Sequence, residues 1–359
     1  MAEIAERRLI NQKIAGAAPS SAAAVVAHLG AIQAQDYTSS LWAIGLRAGV
    51  NEAAVEQAIA ARQIVRTWPM RGTLHFVAAE DVHWMLELLT PRILSAALNR
   101  AEQLGLDAAT LARCGKVCRE TLASGGQLTR PELLAAFESA GIPTDAQRGY
   151  HMIWRLAQER LICFGQRAGK QPTFVLLDEW VPPPKQFDRA AALRELARRY
   201  FKSHGPASVQ DFVWWSGLRV SEARIAIESA ELSREEIDGA TCWRSSEAGG
   251  AISQTPAAHL LAAFDQYLLG YRDRAAVLDP RHALKIVPGS NGIFLPIIVW
   301  NGRVVGTWKR VLKKRATLVL AFPFAPLSKA GERAVTLTAE PYARFLGMPV
   351  ELQFARAES

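Results

Sequence analysis

The sequence predicts a mainly α-helical protein with additional β structure, in which three tandem winged-helix units precede a small β-barrel at the C-terminus. Two observations predict this architecture. Helix pairs with a capping residue and a turn recur three times along the chain, and a β-like run that would form a wing follows each pair. The last part of the chain then changes character and carries a strong hairpin signal. Each helix pair is a weak signal alone, but three in tandem support one another.

The composition is that of an ordinary globular protein. The chain has 359 residues, half of them hydrophobic and 21% charged, which is long enough for two to four compact units. No apolar run approaches the roughly 20 residues that a membrane span needs. The first residues lack the apolar region of a secretory signal. We therefore expect a cytoplasmic protein that does not associate with membranes. We also expect a monomer.

Four cysteines are scattered along the chain. Cys114 and Cys118 lie one helical turn apart, a spacing that two metal ligands can have. No Cys or His pair at a matching spacing completes such a site in the sequence. We therefore expect buried free thiols, with no disulfide, no metal and no cofactor.

The N-terminal unit begins with a helix that ends at a glycine. Ser20 or Ser21 would cap this helix, and Gly30 would end it. If the chain is extended after Gly30, Gln33 and Gln35 project to the same side. If the helix continues instead, the two amides lie roughly 200° apart around it. In the absence of other signals, two such glutamines are usually surface residues beside a turn.

The same unit continues with two further helices and a hairpin. Thr38, Ser39 or Ser40 would cap the second helix, and Asn51 would cap the third. Residues 64–77 contain two β-rich runs around a turn with proline and glycine, which predicts a hairpin. Helices followed by a hairpin predict a winged helix.

A second unit has the same pattern. Thr129 and Glu132 form a capping box, and a further helix over residues 148–160 follows. Two β-like runs then flank a basic loop that contains Arg167 and Lys170. The order is helix, turn, helix and wing.

A third unit follows a stiff spacer, Pro182-Pro183-Pro184. Ser208 and Asp211 form another capping box, and residues 231–245 would provide a weak wing. The predicted regions are therefore residues 1–80, 81–182 and 183–280 for the winged helices, and 281–359 for the β-barrel-like part.

The C-terminal region is β-rich and basic. Asn301-Gly302 between two β-like runs is a strong hairpin signal. Residues 281–359 contain 12 Lys and Arg, 4 Glu and no Asp, so they carry the whole formal net charge of +8. A basic excess confined to one segment indicates a polyanionic partner, with nucleic acid as the leading candidate, although a solvated basic surface is also compatible.

Four motifs are spread over nearly the whole chain, and they are residues 31–36 (AIQAQD), 70–75 (MRGTLH), 260–274 (LLAAFDQYLLGYRDR) and 299–308 (VWNGRVVGTW). In sequence and in order, they resemble motifs of the winged-helix AlkZ-like DNA glycosylases. The resemblance implies three winged helices and a β-barrel in a C shape around double-stranded DNA that carries alkylated bases. It also implies removal of alkylated purines, including the unhooking of interstrand crosslinks at guanine N7, by a nucleoid-associated enzyme.

The family's catalytic signature is glutamine, an apolar residue, then glutamine, and a sister branch has aspartate at the third position. The resemblance therefore implies catalytic roles for Gln33 and Gln35. A neutral carboxamide is a poor general base, but an N7-alkylated purine is cationic and already a good leaving group. We expect the two amides to hold a water beneath the anomeric carbon and to stabilise an oxocarbenium-like sugar. Asp36 is a rival base, but its position in an extended chain favours a helix-capping role instead.

Candidate DNA contacts are basic residues in the C-terminal cluster, the second wing and the 260–274 motif, together with three residues that match the family in the 70–75 motif. They are Lys309, Arg310, Lys313, Lys314, Arg315, Arg167, Lys170, Arg272, Arg274, Arg71, Thr73 and His75. Any single cation could equally be a solvated surface charge. A histidine in a strand is more often packed in the interior, and Trp42 and Trp68 are expected in the core. The alternative function is a non-catalytic winged-helix DNA-binding protein such as a transcriptional regulator.

Overall fold

The computed structural model describes residues 2–183, 185, 187–247 and 257–355. Pro184, the last residue of the predicted proline spacer, lies outside them. Among the described residues, no helix combines the length and the apolar character that a membrane-spanning helix requires.

The described residues form seventeen α-helices and thirteen β-strands. The helices are α1 (Ala2–Asn11), α2 (Ala22–Leu29), α3 (Tyr37–Ala48), α4 (Glu52–Ala60), α5 (Val82–Ala96), α6 (Leu98–Gln103), α7 (Ala108–Leu122), α8 (Arg130–Ser139), α9 (Arg148–Gln158), α10 (Leu177–Trp180), α11 (Arg189–His204), α12 (Val209–Ser216), α13 (Val220–Ser229), α14 (Gln266–Leu269), α15 (Ala283–Ile286), α16 (Lys329–Leu337) and α17 (Ala339–Leu346). The strands are β1 (Ile32–Gln33), β2 (Ile64–Met70), β3 (Thr73–Ala78), β4 (Leu128–Thr129), β5 (Ile162–Phe164), β6 (Thr173–Leu176), β7 (Ser233–Ile237), β8 (Ala240–Arg244), β9 (Ala258–Leu261), β10 (Ile297–Trp300), β11 (Arg303–Leu312), β12 (Thr317–Pro323) and β13 (Val350–Phe354).

The chain forms two compact units. The first comprises Met1–Glu56 and Leu193–Ser359, and the second comprises Gln57–Ala192. The first unit therefore combines the N-terminal helices with the C-terminal half of the sequence. The four regions proposed from the sequence, and the curvature of the chain around DNA, stay predictions.

The first unit contains a five-stranded sheet with the strand order β13-β12-β11-β10-β9. Strands β9 to β12 pair antiparallel, and β13 is parallel to β12. Asn301 and Gly302 connect β10 to β11 with φ angles of 49° and 73°, the left-handed geometry that the predicted tight hairpin needs. Over the described residues, β13 and β9 are the sheet edges. The predicted barrel is therefore an open half-barrel.

Helix α3 packs closely on α17 in the same unit. A Cβ atom built on Gly45 would lie 2.5 Å from ring carbons of Phe345, so a glycine lets the α3 backbone approach the aromatic ring. The antiparallel hairpin β7–β8 lies where the sequence predicted the third wing. Ahead of it, Ser208 and Asp211 form the predicted capping box, because the Ser208 amide donates to the carboxylate over 3.0 Å.

The second unit contains two antiparallel hairpins, β2–β3 and β5–β6, with β4 paired to β6. Its hydrophobic core includes Trp68, Phe137 and Met152. The predicted capping box is present at α8, where the Thr129 amide donates to Glu132 Oε2 over 2.7 Å. The hairpins lie where the sequence predicted the first and second wings. Whether each group of helices and hairpin adopts winged-helix geometry stays a prediction.

One helix cap differs from the prediction. Helix α3 begins at Tyr37, and its N-cap is Asp36, not Thr38, Ser39 or Ser40. The Asp36 carboxylate accepts the Ser39 amide over 3.0 Å. A carboxylate is an effective N-cap because it pairs with an amide that has no partner within the helix.

All four cysteines are buried free thiols, as expected. Burial raises the pKa of Cys114 to about 11 and that of Cys118 to about 12. These thiols therefore stay protonated near neutral pH and belong to the core.

Candidate active site

The two glutamines of the family signature lie in a short segment between α2 and α3. Helix α2 is capped by Ser21 and ends before Gly30, which has a φ of 78°. The chain is then extended through β1, so the extended alternative for this segment is correct and the continued helix is wrong. The positive φ at Gly30 favours glycine, because a Cβ atom is strained in that region.

The amides of Gln33 and Gln35 contact each other directly. Gln33 Nε2 donates a hydrogen bond to Gln35 Oε1. Gln33 is only 7% exposed, whereas Gln35 is exposed to solvent. The expectation that both amides project into the same space is therefore confirmed. The site has a buried member that is held in place and a second member that solvent and ligands can reach.

Asp36, the rival base, is occupied as a helix cap. One carboxylate oxygen, Oδ1, accepts from the Ser39 amide and from the Thr38 hydroxyl, each over 3.0 Å. This is the capping role that the sequence favoured. The cap also connects the end of the glutamine segment to the first turn of α3.

A buried ion pair holds the other end of α3. Arg47 Nη2 lies 2.8 Å from Asp265 Oδ1, and Arg47 Nη1 lies 3.0 Å from Asp265 Oδ2. Both side chains are only 1% exposed. Arg47 Nε also donates to the backbone carbonyl of Gln12 over 2.9 Å. A two-pronged pair of this kind fixes both position and orientation.

The 260–274 motif contacts α3 through its backbone as well. Trp42 Nε1 donates to the Leu260 carbonyl over 2.8 Å, and Leu260 lies in β9 of the half-barrel. The motif therefore supports the helix that begins directly after the two glutamines. Sequence analysis missed the positioning residues Arg47 and Asp265. The available signal was a charged residue inside an otherwise apolar segment, since such residues are rarely buried without a partner.

The 70–75 motif forms the turn of the β2–β3 hairpin in the second unit. Arg71 has a φ of 52° and Gly72 a φ of 69°. His75 is completely buried, with Nδ1 at 2.9 Å from the Thr73 carbonyl and Nε2 at 3.4 Å from Arg71 Nη2. Burial, aided by the Arg71 charge, lowers the pKa of His75 to about 3. His75 is therefore a neutral interior residue, and the expected packed alternative describes it better than direct DNA contact.

Arg71 and Thr73, the other two candidate DNA contacts in this motif, are half-buried. Thr73 Oγ1 lies 3.4 Å from the Met70 carbonyl. Burial lowers the pKa of Arg71 to about 10, so its guanidinium stays charged at neutral pH. The roles of Arg71 and Thr73 in DNA binding stay predictions.

The remaining candidate DNA contacts differ in accessibility. Lys170 is exposed at the tip of the β5–β6 hairpin, where Arg167 donates to its backbone carbonyl. Arg272 is exposed and donates to Gln210 Oε1 over 3.0 Å. Arg274 is half-buried, donates to the Leu268 carbonyl over 2.8 Å and stacks over Trp214. Of these, Arg274 has the clearest structural role.

The C-terminal cationic cluster lies on the β11–β12 hairpin of the half-barrel. Lys313, Lys314 and Arg315 are exposed at its tip. Lys309 is exposed on β11, while Arg310 is half-buried and donates to the Tyr342 hydroxyl over 3.2 Å. The hairpin thus presents several positive charges to solvent on one projecting element.

Comparisons with known proteins agree with the resemblance. A family model described as DNA glycosylase AlkZ-like matches residues 26–345. An interstrand DNA cross-link repair glycosylase from Streptomyces sahachiroi is 26% identical, and the alignment covers 91% of each protein. The solved structure of Streptomyces sahachiroi DNA glycosylase AlkZ has the same fold, with a TM-score of 0.82, 24% identity and 99% of each chain covered. Because the family model matches most of the chain, this protein belongs to the AlkZ-like DNA glycosylase family and is a DNA glycosylase.

Proposed function

We propose that this enzyme hydrolyses the N-glycosidic bond of cationic alkylated purines, chiefly N7-alkylguanine, and unhooks interstrand crosslinks formed at that atom. The observation that carries the proposal is the direct contact between the Gln33 and Gln35 amides at the start of α3. The Streptomyces sahachiroi relative is named for interstrand cross-link repair, which supports the same substrate class for this chain.

The lesion supplies most of the chemical activation in this mechanism. Alkylation at N7 puts a positive charge on the guanine, so the bond from N9 to C1′ breaks with both electrons passing to the base. The departing alkylguanine is neutral, and the sugar becomes oxocarbenium-like. Water then adds its oxygen to C1′ and releases a proton to solvent. Because the leaving group needs no protonation, the enzyme does not need a strong general acid.

The two amides hold and orient the attacking water. Gln35 Oε1 accepts the Gln33 bond with one lone pair, and a carboxamide oxygen has two. The second lone pair can accept a hydrogen from water at the exposed end of the pair. The carboxamide oxygens also place partial negative charge near the developing sugar cation. Positioning of this kind accelerates a reaction even when the group is weakly basic.

This site should act without a covalent enzyme intermediate. Residues 26–48 contain no lysine, so the motif and α3 supply no amine for a Schiff base with the sugar. The product is then an intact abasic site. Normal purines, which leave as anions unless protonated, should be spared because two amides provide too little acid or base catalysis to release them.

Exposed cations would hold the DNA. We assign phosphate contacts first to Lys309, Lys313, Lys314 and Arg315, because they are exposed on one hairpin of the most basic segment. Neutralising a phosphate releases counterions, so each such contact adds to affinity and to its salt dependence. We propose that Lys170 and Arg272 contribute further contacts, and that the enzyme acts as a monomer associated with the nucleoid.

The proposal is tested with duplex DNA that carries a single N7-methylguanine. We expect Gln33→Ala/Gln35→Ala to lower the single-turnover rate of base release by about 100-fold or more, because the water loses both of its positioning groups. Gln353→Ala is the matched control, since Gln353 is an exposed glutamine of β13, and it should retain the wild-type rate. Circular dichroism and DNA affinity should be the same in all three proteins. A double variant that releases the base at the wild-type rate would show that the glutamines are not catalytic.

A further inference from the structure

The turn at Gly30, where the glutamine segment begins, packs against a buried tryptophan of α12. A Cβ atom built on Gly30 would lie 3.4 Å from Trp215 Cη2 and 3.6 Å from Trp215 Cζ2, which are ordinary van der Waals distances. Trp215 is fully buried. The far edge of its indole therefore supports the turn from which the chain extends to Gln33.

The orientation of this indole is fixed by a hydrogen bond and by neighbouring rings. Trp215 Nε1 donates to the side-chain oxygen Oε1 of Gln266 over 3.1 Å, and Gln266 is only 1% exposed. The ring centroids of Tyr200 and His204 lie 5.1 Å and 5.6 Å from that of Trp215. A buried ring with a satisfied donor and close ring neighbours has few alternative positions.

The residue before Gln266 supports the other end of the glutamine segment. Asp265 is the N-cap of α14, the helix that begins with Gln266, and its carboxylate pairs with Arg47 of α3. Helix α3 follows the glutamine segment, whereas Trp215 contacts the turn that precedes it. Two consecutive residues therefore act on both ends of the segment, one through an ion pair and the other through an indole.

Gln12 connects the two supports in the core. Its Oε1 accepts from Arg47 Nη2 over 3.3 Å, and its Nε2 donates to the Gln266 backbone carbonyl over 3.4 Å. The same Nε2 donates to the Tyr271 hydroxyl over 3.0 Å. Gln12 is fully buried. Because buried polar groups in such a network depend on one another for their hydrogen bonds, none of them can shift alone without leaving a partner unpaired.

We propose that Trp215 and Gln266 are positioning residues that act on the reaction through the Gly30 turn. Trp215 contacts the turn directly, and Gln266 acts through the indole that it orients. Both residues are buried, so they act without touching the DNA. The inference rests on the proposed function, since the turn affects the rate only if Gln33 and Gln35 direct the water. Misplacing a catalytic group by about 1 Å can cost about 100-fold in rate, so a small shift of the turn is measurable.

The test measures single-turnover release of N7-methylguanine and determines kcat and KM separately. Trp215→Phe keeps an aromatic residue in the core, but its single ring is too short to reach the Gly30 turn. Gln266→Leu leaves the indole in place and removes the acceptor that orients it. We expect kcat to fall by about 10-fold in Trp215→Phe and about 3-fold in Gln266→Leu, because the water is less well directed. KM should change by less than about 2-fold, because the groups that bind the substrate remain.

The double variant Trp215→Phe/Gln266→Leu tests whether Gln266 acts through the indole. Its kcat should match that of Trp215→Phe, because Gln266 then has no indole to orient. Trp84→Phe is the matched control, since Trp84 is a 3% exposed indole of the second unit that donates to Asp81 Oδ1 over 2.9 Å. It should keep the wild-type kcat. If Trp215→Phe does not fold, Gln266→Leu alone is the test variant, because it leaves the whole indole in the core.

Hydrogen exchange at short labelling times, which reports local opening, separates this inference from the proposed function. Residues 30–36 should exchange faster in Trp215→Phe and Gln266→Leu than in the wild type. Faster exchange with an unchanged kcat would contradict the catalytic role of the glutamines, and the inference would fall with it. Unchanged exchange and unchanged kcat in folded variants would overturn the inference alone. So would an additive loss of about 30-fold in the double variant, or an equal loss of kcat in Trp84→Phe.

Discussion

Two candidate functional segments of the first unit are held in very different ways. The segment with Gln33 and Gln35 lies between the Gly30 turn and α3, and the far end of α3 is fixed by the buried pair of Arg47 and Asp265. The tip of the β11–β12 hairpin, residues 313–315, has three exposed cations on a turn that is closed by a hydrogen bond from Lys313 to Ala316 over 2.9 Å. One segment is anchored in the core and the other projects from it.

The difference agrees with the role that we propose for each segment. Directing a water at one sugar carbon requires side chains placed within about 0.5 Å of their productive positions. Attraction between a cation and DNA phosphates acts over a Debye length of about 8 Å at physiological salt. Distant packing changes should therefore disturb the first segment, whereas the second should respond to charge and ionic strength.

The largest expected effect comes from breaking the buried pair. Asp265→Leu leaves the Arg47 guanidinium without its carboxylate in the interior, which should lower the free energy of unfolding by about 3–5 kcal/mol. Because Arg47 fixes α3, the release of N7-methylguanine should slow in the same variant even at temperatures where it remains folded. Urea denaturation and single-turnover base release measure the two effects.

A double variant separates the effect of the buried charge from that of the changed side-chain volume. Arg47→Met/Asp265→Leu removes both charges and should recover much of the stability that Asp265→Leu forfeits, because no unpaired charge remains in the core. If Asp265→Leu costs less than about 1 kcal/mol, a typical value for an exposed pair, the pair does not anchor α3 as argued.

The β11–β12 hairpin should respond to changes in charge and salt, and not to changes in core packing. Lys313→Ala/Lys314→Ala/Arg315→Ala should leave folding unchanged but lower DNA affinity, and the slope of log affinity against log salt should become shallower by about 0.9 for each phosphate that the variant no longer neutralises. Titration of a labelled duplex between about 50 and 200 mM salt measures this slope. A matched variant is Lys329→Ala, an exposed cation at the start of α16. Equal slopes for the triple variant and the wild type would remove the hairpin from the DNA interface.

Local features of the first unit could be predicted from the sequence. Ser21 and Gly30 define the ends of α2, and Asn301-Gly302 defines the turn of the first C-terminal hairpin, because these residues act on their immediate neighbours. The common direction of Gln33 and Gln35 follows from the two-residue period of an extended chain. Each of these predictions depends on a short stretch of consecutive residues.

Contacts between distant parts of the chain could not be predicted in this way. Arg47 and Asp265 are 218 residues apart, as are Trp42 and Leu260, so the support of α3 depends on tertiary packing. The sequence also offered competing caps for α3, Thr38, Ser39 or Ser40 beside Asp36, because each of these side chains can accept an amide of a first helical turn, and the structure selects Asp36. The open edges of the half-barrel depend on strand order, which periodicity does not specify.

The buried hairpin of the second unit provides a third test of anchoring. His75 has a pKa lowered to about 3 by burial, against about 6.5 when unfolded. Between these values only the unfolded state binds the proton, so this contribution to stability is complete well above pH 6.5 and decreases as the pH falls through 6.5. At pH 5 the loss relative to high pH is about 2 kcal/mol.

Hydrogen exchange of peptides that span β2 and β3 measures this loss after correction for the intrinsic exchange rate. His75→Gln should make the opening free energy of the hairpin less dependent on pH, because glutamine does not titrate. Parallel pH profiles for the wild type and the variant would show that His75 does not make this contribution.

The smallest expected effect distinguishes a helix cap from a general base at Asp36. Asp36→Asn keeps an oxygen that can accept the Ser39 amide, so both stability and the rate of N7-methylguanine release should change little. Asp36→Ala removes the cap and should cost about 1 kcal/mol of stability. A general base would behave differently, since an amide in its place would lower the rate by about 100-fold or more. Comparing the two variants by thermal melting and single-turnover release therefore shows whether the carboxylate next to the glutamines holds the helix or removes a proton from water.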